Sequence, residues 1–398
     1  MTSIWPGICY DPMLTYYLIL LIRHLFYDKG WIKSVPVEVP SVCIGNVAAG
    51  GTGKTPVTEL VLRTLQDNDV PSADAELYGF ESDSLFCNKK RNIGVLSRGY
   101  KRKTKGFQQV MTNGTAGQYG DEPLQIKRKF PNITVAVDAD RVEGCELLVH
   151  SDRIKNLPKK TQDRIISPEM AAVDYIVLDD AFQYRKIKAG KNIVLTTYEK
   201  PFFRDYLLPF GRLRDLRRRV HVADMVIVTK CPPYISDEEK RHWADRMKLK
   251  DFDPATCEGT NRSGARQMLL FSTVAYEAIK PVFDDCDPRY VHSKSAILFS
   301  GIANDRPLAT HLSETYKLVC HKKFPDHHFF TVSDINDIAS LAKQYSTAIL
   351  ITTEKDAQRL NDGTLYIPEE LHHRMFYAPI HVQMLTAAEQ NCLKRFLI

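Results

Sequence analysis

The stretch VCIGNVAAGGTGKT, residues 42–55, decides how the rest of the chain is read. Residues 41–44 form a short apolar run suited to a buried strand. Gly50, Gly51 and Gly53 supply a backbone that turns tightly and aims several N–H groups at one anion. A helix is predicted to follow, because Pro56 falls where a first-turn proline costs nothing and Val57, Leu60, Val61 and Leu65 recur at helical spacing. Strand, glycine loop and helix together are the setting of a phosphate-binding loop. Ala49, Gly50, Gly51, Thr52 and Gly53 would cradle the phosphates, Lys54 would reach the β- and γ-phosphates, and the Thr55 hydroxyl would face Mg²⁺ above the helix N-terminus. The usual pattern G-x-x-x-x-G-K-[ST] has a glycine where this chain has Ala48. The competing reading is a glycine-rich turn with an incidental lysine.

A chain of 398 residues is long for one domain and suggests two or three. Its 44% hydrophobic and 26% charged residues are ordinary for a globular protein and argue against long-range disorder. A net charge of +6 is too small to indicate nucleic acid. The positive charge is local, in Lys101, Arg102, Lys103 and Lys105 and again in Arg212, Arg214, Arg217, Arg218 and Arg219, and each cluster suits either an anionic ligand or a solvated face. Nine scattered cysteines without a C-x-x-C pair imply a reducing compartment and no structural zinc.

Near the amino terminus MLTYYLILLIRHLF, residues 13–26, is apolar for about ten residues before Arg23 and His24 interrupt it, short of the roughly 20 needed to cross a bilayer. Leu14, Tyr17, Leu18, Leu21 and Leu25 share one helical stripe, with Arg23, His24, Lys29 and Lys33 placed to meet lipid headgroups. The pattern predicts a helix lying in a membrane interface, the alternative being a helix packed on the protein's own core.

Short β-rich runs at 92–97, 133–137, 175–178, 192–196 and 225–229 alternate with helical stretches, so a parallel sheet with helices on both faces is expected. A helix is expected over 237–247 and a further strand over 268–271. The polar, proline-bearing segment VFDDCDPR, 282–289, reads as a boundary, and runs at 296–300, 348–352 and 381–384 supply strands beyond it. The predicted organisation is an interfacial helix (1–35), a larger α/β unit of phosphate-loop type (36–285) and a smaller α/β unit (286–398). Residues 81–91 and 151–168 read as surface excursions.

Phosphoryl transfer also requires metal ligands, a base for the acceptor and cations around the moving group. Asp179 and Asp180 follow the run 175–178, where an acidic pair would reach a metal at the neighbouring glycine loop. Asp121, in GDEP before a predicted helix, reads as an N-cap more readily than as a catalytic carboxylate. FPDHH, 324–328, reads equally as a metal site, a surface turn or a catalytic histidine. Arg98 closes a strand and would point to the strands' carboxyl ends, where open α/β sheets bind ligands.

These pieces, in this order, resemble the tetraacyldisaccharide 4'-kinases of lipid A biosynthesis. The resemblance rests on GNVAAGGTGKTP (45–56), SRGYKRKTKGF (97–107), GDEP (120–123), VDADR (137–141), LDDAFQ (178–183), LLPFGRLRD (207–215), FSGIAN (299–304), FPDHH (324–328) and TTEKDA (352–357). It covers nearly the whole chain and includes the alanine at position 48. It implies an ATP- and Mg²⁺-dependent kinase for the 4'-hydroxyl of a tetraacylated glucosamine disaccharide 1-phosphate, in which Asp121 and His327 form the dyad that activates the acceptor. Asp179 and Asp180 would serve Mg²⁺ and water, and Arg141, Arg214 and Asp215 would lie near phosphate, substrate or metal. It further implies peripheral contact with the cytoplasmic face of a bacterial inner membrane, where the lipid substrate resides, without nucleic acid or an obligate protein partner. The chain departs from the family pattern with Gln183-Tyr184 in place of Gln-His and Arg214-Asp215 in place of Arg-Glu. Two rivals follow from the residues alone: a kinase for a soluble acceptor, and a nucleotide-hydrolysing switch. TTEKDA has no assigned role.

Overall fold

The computed structural model describes residues 12–67, 91–156, 166–167, 170–326, 328–361, 363 and 365–398. Most of the excursion at 81–91 and the middle of that at 151–168 lie outside the described residues. Ser151–Asn156 forms a short 3-10 helix.

The strand Ser41–Asn46 is wholly buried and lies in the middle of an 11-stranded sheet. Its side chains alternate as a pleated strand requires, Val42 and Ile44 into one apolar cluster and Cys43 into the other. On either side of it run Tyr175–Asp179 and Lys191–Thr197, and beyond these lie Ile93–Ser97 with Thr134–Val137, and Met225–Thr229 with Arg266–Tyr276, all in parallel. A sheet of parallel strands must be covered on both faces. The helices Lys54–Asp67, Asp121–Lys129 and Ala387–Leu397 contribute to the cluster on one face, and Arg141–Val149 and Asp237–Met247 to that on the other.

Sequence pattern and structure agree on these parallel strands and on the helix Asp237–Met247, whose Ser236 cap accepts from the Glu239 N–H. They part at the edges. Lys250–Asp253 and Glu258–Thr260 pair antiparallel at one edge and Gln108–Gln109 at the other, because hairpins and short edge strands carry too few apolar residues to show a period.

A second sheet of five strands orders Lys280–Pro281, Met375–Ala378, Ile349–Thr353, Ser295–Ser300 and Lys317–Lys323. Lys317–Lys323 was not anticipated, since four of its seven residues are basic or polar and it lies at an edge. The smaller unit expected over 286–398 also differs in extent. Ile380–Met384 leaves it and pairs antiparallel with Ser272 to Tyr276 of the large sheet, and the helix Ala387–Leu397 follows it there. A five-residue apolar strand carries no local mark of which sheet it joins; only partner edges decide.

That closing helix is fixed by a buried ion pair: Lys240 Nζ lies 3.0 Å from Glu389 Oε1, with the two side chains 3% and 1% exposed. Glu389 also accepts from the Thr386 N–H and hydroxyl, completing a capping box. Glu389→Ala leaves a buried ammonium unpaired and removes the cap, and should cost about 3–5 kcal/mol. Lys240→Met lays an apolar chain over Phe271 and keeps the Thr386 cap bonds, but it leaves the Glu389 carboxylate buried without its cation, so it should be destabilising by somewhat less. Denaturant unfolding of the two variants checks the order.

Candidate active site

The loop after Ser41–Asn46 turns through Gly50 (φ +103°) and Gly53 (φ +85°) before the helix Lys54–Asp67 begins. Gly45 is required by close approach, since an added Cβ would lie 2.5 Å from Phe182 Cβ. Residues of the LLPFGRLRD stretch strap the loop. The Ala49 N–H donates to the Arg212 carbonyl (2.6 Å) and the Arg214 N–H to the Val47 carbonyl (2.9 Å). From the other side the Thr229 hydroxyl donates to the Thr52 carbonyl (2.8 Å) and the Asn46 amide to the Thr52 hydroxyl (2.6 Å). The loop is thus held open by its neighbours, with Gly50 and Gly51 exposed and Thr52 and Thr55 buried.

Asp179 ends the strand beside the loop, in register with Ile44, and is fully buried. The Ser97 hydroxyl donates to it at 3.2 Å and that of Thr58 at 3.4 Å. Burial, followed by the Glu122 and Asp180 carboxylates, pushes its carboxyl well above the usual range, against the opposing pull of Lys54 and Ser97. Asp180 takes a left-handed backbone (φ +51°), anchored by its N–H on the Ile44 carbonyl at 2.9 Å. That turn presents its carboxylate to Lys54 Nζ at 3.8 Å and to the Arg214 guanidinium, which also reaches Asn46 Oδ1 at 2.5 Å. Arg141, buried at the start of the helix Arg141–Val149, feels the charges of Asp179, Arg98 and Asp180. Its Nη1 donates to the Asp138 carbonyl at 2.9 Å. Arg98 is exposed at the carboxyl end of Ile93–Ser97, as expected.

Asp121 opens the helix Asp121–Lys129, but the cap is Gly120 (φ +91°), and Asp121 makes no side-chain cap. Its carboxylate instead takes the Arg359 guanidinium from the second unit, Oδ2 to Nη2 2.8 Å. His327 lies outside the described residues. The adjacent His328 binds Asp334 Oδ2 through Nε2 at 2.9 Å and stacks on Phe324 at 4.8 Å between centroids, which builds its imidazole into the loop.

Two expectations are corrected. Asp215 is not turned to the nucleotide loop: it is 1% exposed, accepts from the Leu216 N–H at 2.7 Å and pairs with His24 Nε2 at 2.6 Å. His24 accordingly does not meet headgroups. It is buried on the inner side of the helix Pro12–Asp28, next to Arg185, whose Nη1 lies 3.2 Å from Nδ1. Sequence spacing put both residues on plausible faces, but their partner is almost 200 positions away. Lys230 was overlooked. It follows the strand Met225–Thr229 with a left-handed backbone (φ +57°), and its ammonium would lie 3.9 Å from a Cβ added at Gly51. A lysine ending a buried apolar strand, as in MVIVTK, is the signal that marks it.

A parallel sheet whose central strand feeds a glycine loop and a lysine-headed helix, with an aspartate pair beside that lysine, defines an α/β protein of the phosphate-loop class. A family model described as tetraacyldisaccharide-1-P 4'-kinase matches residues 12–73 and 84–397. The chain belongs to that family. It is 35% identical over 384 residues to the tetraacyldisaccharide 4'-kinase of Porphyromonas gingivalis, covering 94% of this chain and 92% of the relative. It is 34% identical over 369 residues to the enzyme of that name from Flavobacterium johnsoniae, covering 92% and 89%. A crystal structure of "apo" form LpxK from Aquifex aeolicus in complex with ATP superposes with a TM-score of 0.63 at 22% identity, covering 96% of each chain, and shows that the fold is shared.

Beside the site, burial pushes the Asp138 carboxyl up to about 6. The native chain therefore keeps at this group a proton that the unfolded chain releases, and its contribution to stability declines as pH rises from about 4 to about 6. Asp138→Asn should remove that decline. Its denaturation midpoint should exceed that of the parent above pH 6 and converge with it toward pH 4.

Proposed function

We propose that this chain transfers the γ-phosphoryl group of ATP to the 4'-hydroxyl of a tetraacylated glucosamine disaccharide 1-phosphate, giving the bis-phosphorylated lipid A precursor. The observation that carries this reading is the family match over nearly the whole chain, on a fold whose glycine loop, lysine and aspartate pair converge as phosphoryl transfer requires. The loop from Ala49 to Gly53 would hold the phosphates under the helix N-terminus, and Lys54 would follow the charge that develops on the transferred group.

Among the described residues no three or more His, Cys, Asp or Glu side chains are placed to hold a metal ion together. Mg²⁺ sites do not need one, because substrate phosphates and waters complete an octahedron begun by one or two protein oxygens. Thr55, Asp179 and Asp180 offer an all-oxygen set at the loop, and a buried carboxyl whose charge is disfavoured fits a position that a cation would stabilise. They would hold Mg²⁺, which when bound neutralises charge on the β- and γ-phosphates. Asp121 with His327 would take the proton of the acceptor hydroxyl, and Arg98, Arg141, Arg214 and Lys230 would surround the anionic groups.

The acceptor carries four acyl chains, and the helix Pro12–Asp28 suits a lipid surface. No described helix is long and apolar enough to cross a membrane. Its polar contacts point inward: His24 to Asp215, Arg23 to the Gln183 carbonyl (2.6 Å) and Tyr16 to the Arg214 carbonyl (2.9 Å). Its outer face exposes Leu14, Leu18, Ile19 and Ile22, with Trp31 just beyond. A groove lined by Met13, Tyr17, Tyr206, Leu216, Arg217 and Arg218 borders this face and combines apolar walls with two guanidiniums. An acylated, anionic lipid at the cytoplasmic face of a bacterial inner membrane matches both features.

Transfer of labelled phosphate from ATP to the tetraacyldisaccharide 1-phosphate in mixed micelles tests the reaction. The parent should form labelled bis-phosphorylated lipid, Lys54→Ala should lose most turnover, and Asp121→Ala should lower kcat by about 10²–10⁴. ATP consumption without labelled lipid would instead point to a soluble acceptor or a nucleotide switch. For the membrane contact, Ile19→Asp with Ile22→Asp should abolish co-sedimentation with anionic vesicles, and high salt should weaken it in the parent. Undiminished pelleting of the variant would reject the helix as the membrane contact.

A further inference from the structure

The TTEKDA stretch forms the end of the strand Ile349–Thr353 and the start of the helix Glu354–Leu360. Thr353 caps that helix, accepting from the Asp356 N–H at 3.2 Å. Asp356 is fully buried. It accepts from the Gly301 N–H at 2.8 Å and the Thr353 hydroxyl at 2.7 Å, and its Oδ1 lies 3.1 Å from Arg359 Nη1. The same nitrogen reaches the His328 carbonyl at 3.4 Å. The other arm of the guanidinium, Nη2, crosses to Asp121 at 2.8 Å, and the Arg359 side chain is only 4% exposed. Three stretches of the second unit, FSGIAN, FPDHH and TTEKDA, thus converge on one arginine that grips a carboxylate of the first.

The contact belongs to a docked face rather than to a chance approach of side chains. From the helix that Asp121 opens, Lys129 bridges Glu354 (2.7 Å) and Glu59 (2.8 Å), Glu122 meets Lys355 (3.5 Å) and Arg128 bonds Gln358.

We infer that Arg359 is a positioning residue for phosphoryl transfer. It fixes the Asp121 carboxylate and ties it to the His328 backbone and Asp356 of the second unit, so that the docking of the two units sets the position of Asp121. The inference rests on the proposed role of Asp121. A planar fork is needed for this task, because it addresses two carboxylates on opposite sides at once, whereas an ammonium offers a single point of charge. Asp356 holds the fork from behind: the buried carboxylate orients Arg359, and Arg359 orients Asp121. Lys54 and the glycine loop lie outside this chain of contacts, so ATP binding should be insensitive to it.

The test uses the full-length chain with ATP and the tetraacyldisaccharide 1-phosphate in mixed micelles, comparing Arg359→Met, Arg359→Lys, Asp121→Asn and the double variant Arg359→Met/Asp121→Asn. Arg359→Met should lower kcat by about 10- to 10²-fold, as a misplaced catalytic group does, with the KM for ATP within about twofold of the parent. Arg359→Lys should recover part of the loss. Millimolar guanidinium, small enough for the vacated site, should accelerate Arg359→Met but not the parent, and the double variant should be no slower than Asp121→Asn. A parental kcat in Arg359→Met alongside an inactive Asp121→Asn would overturn the positioning role and leave the Asp121 assignment standing. An active Asp121→Asn would overturn both. Loss in Arg359→Met with a lowered Tm, a raised KM for ATP, no guanidinium response and full additivity with Asp121→Asn would reduce Arg359 to a structural ion-pair partner and reject the inference.

Discussion

The site is organised around a buried carboxylate. Asp179 sits fully buried at the carboxyl end of a central strand, where an isolated anion would cost several kcal/mol. The surrounding structure answers that cost. Ser97 from one neighbouring strand and Thr58 from the loop helix donate hydroxyls, and Lys54 adds a positive field. Asp180, forced into a left-handed turn one residue later, holds Lys54 and Arg214 at the mouth of the loop. The same constraint thus draws together four of the stretches that stand far apart in the chain.

Between the two units the contact is ionic where the cores are apolar. Each sheet buries its own clusters, and Arg359, Lys129 and Lys355 join the helices Asp121–Lys129 and Glu354–Leu360 across the gap. The carboxyl-terminal strand and helix cross back to the first sheet, so the second unit is held by two chain connections and cannot swing free.

The first helix inverts the usual arrangement of a surface helix. Its polar groups are spent on the protein, His24 on Asp215 and Tyr16 on the Arg214 backbone, and its apolar groups are left outside. Because Arg214 also binds Asp180, the helix that would rest on lipid is three contacts from the lysine of the nucleotide loop.

The strand–loop–helix at 41–67, the parallel strands and the aspartate pair were legible in the sequence, because each is specified within a few residues by hydrophobic period, glycine and proline. The role proposed for Asp121 rests on family likeness alone: its local signal is that of a cap, and the arginine that binds it is 238 positions away. His24 and Asp215 were assigned to the wrong surroundings for the same reason, and the destination of Ile380–Met384 was settled by a free strand edge that no local pattern encodes. The sequence by itself determined most of the elements and the class of chemistry, and it named most of the groups proposed to perform it. Which groups meet was decided only by the tertiary structure, since ion pairs and sheet edges join residues whose separation along the chain carries no information about their distance in space.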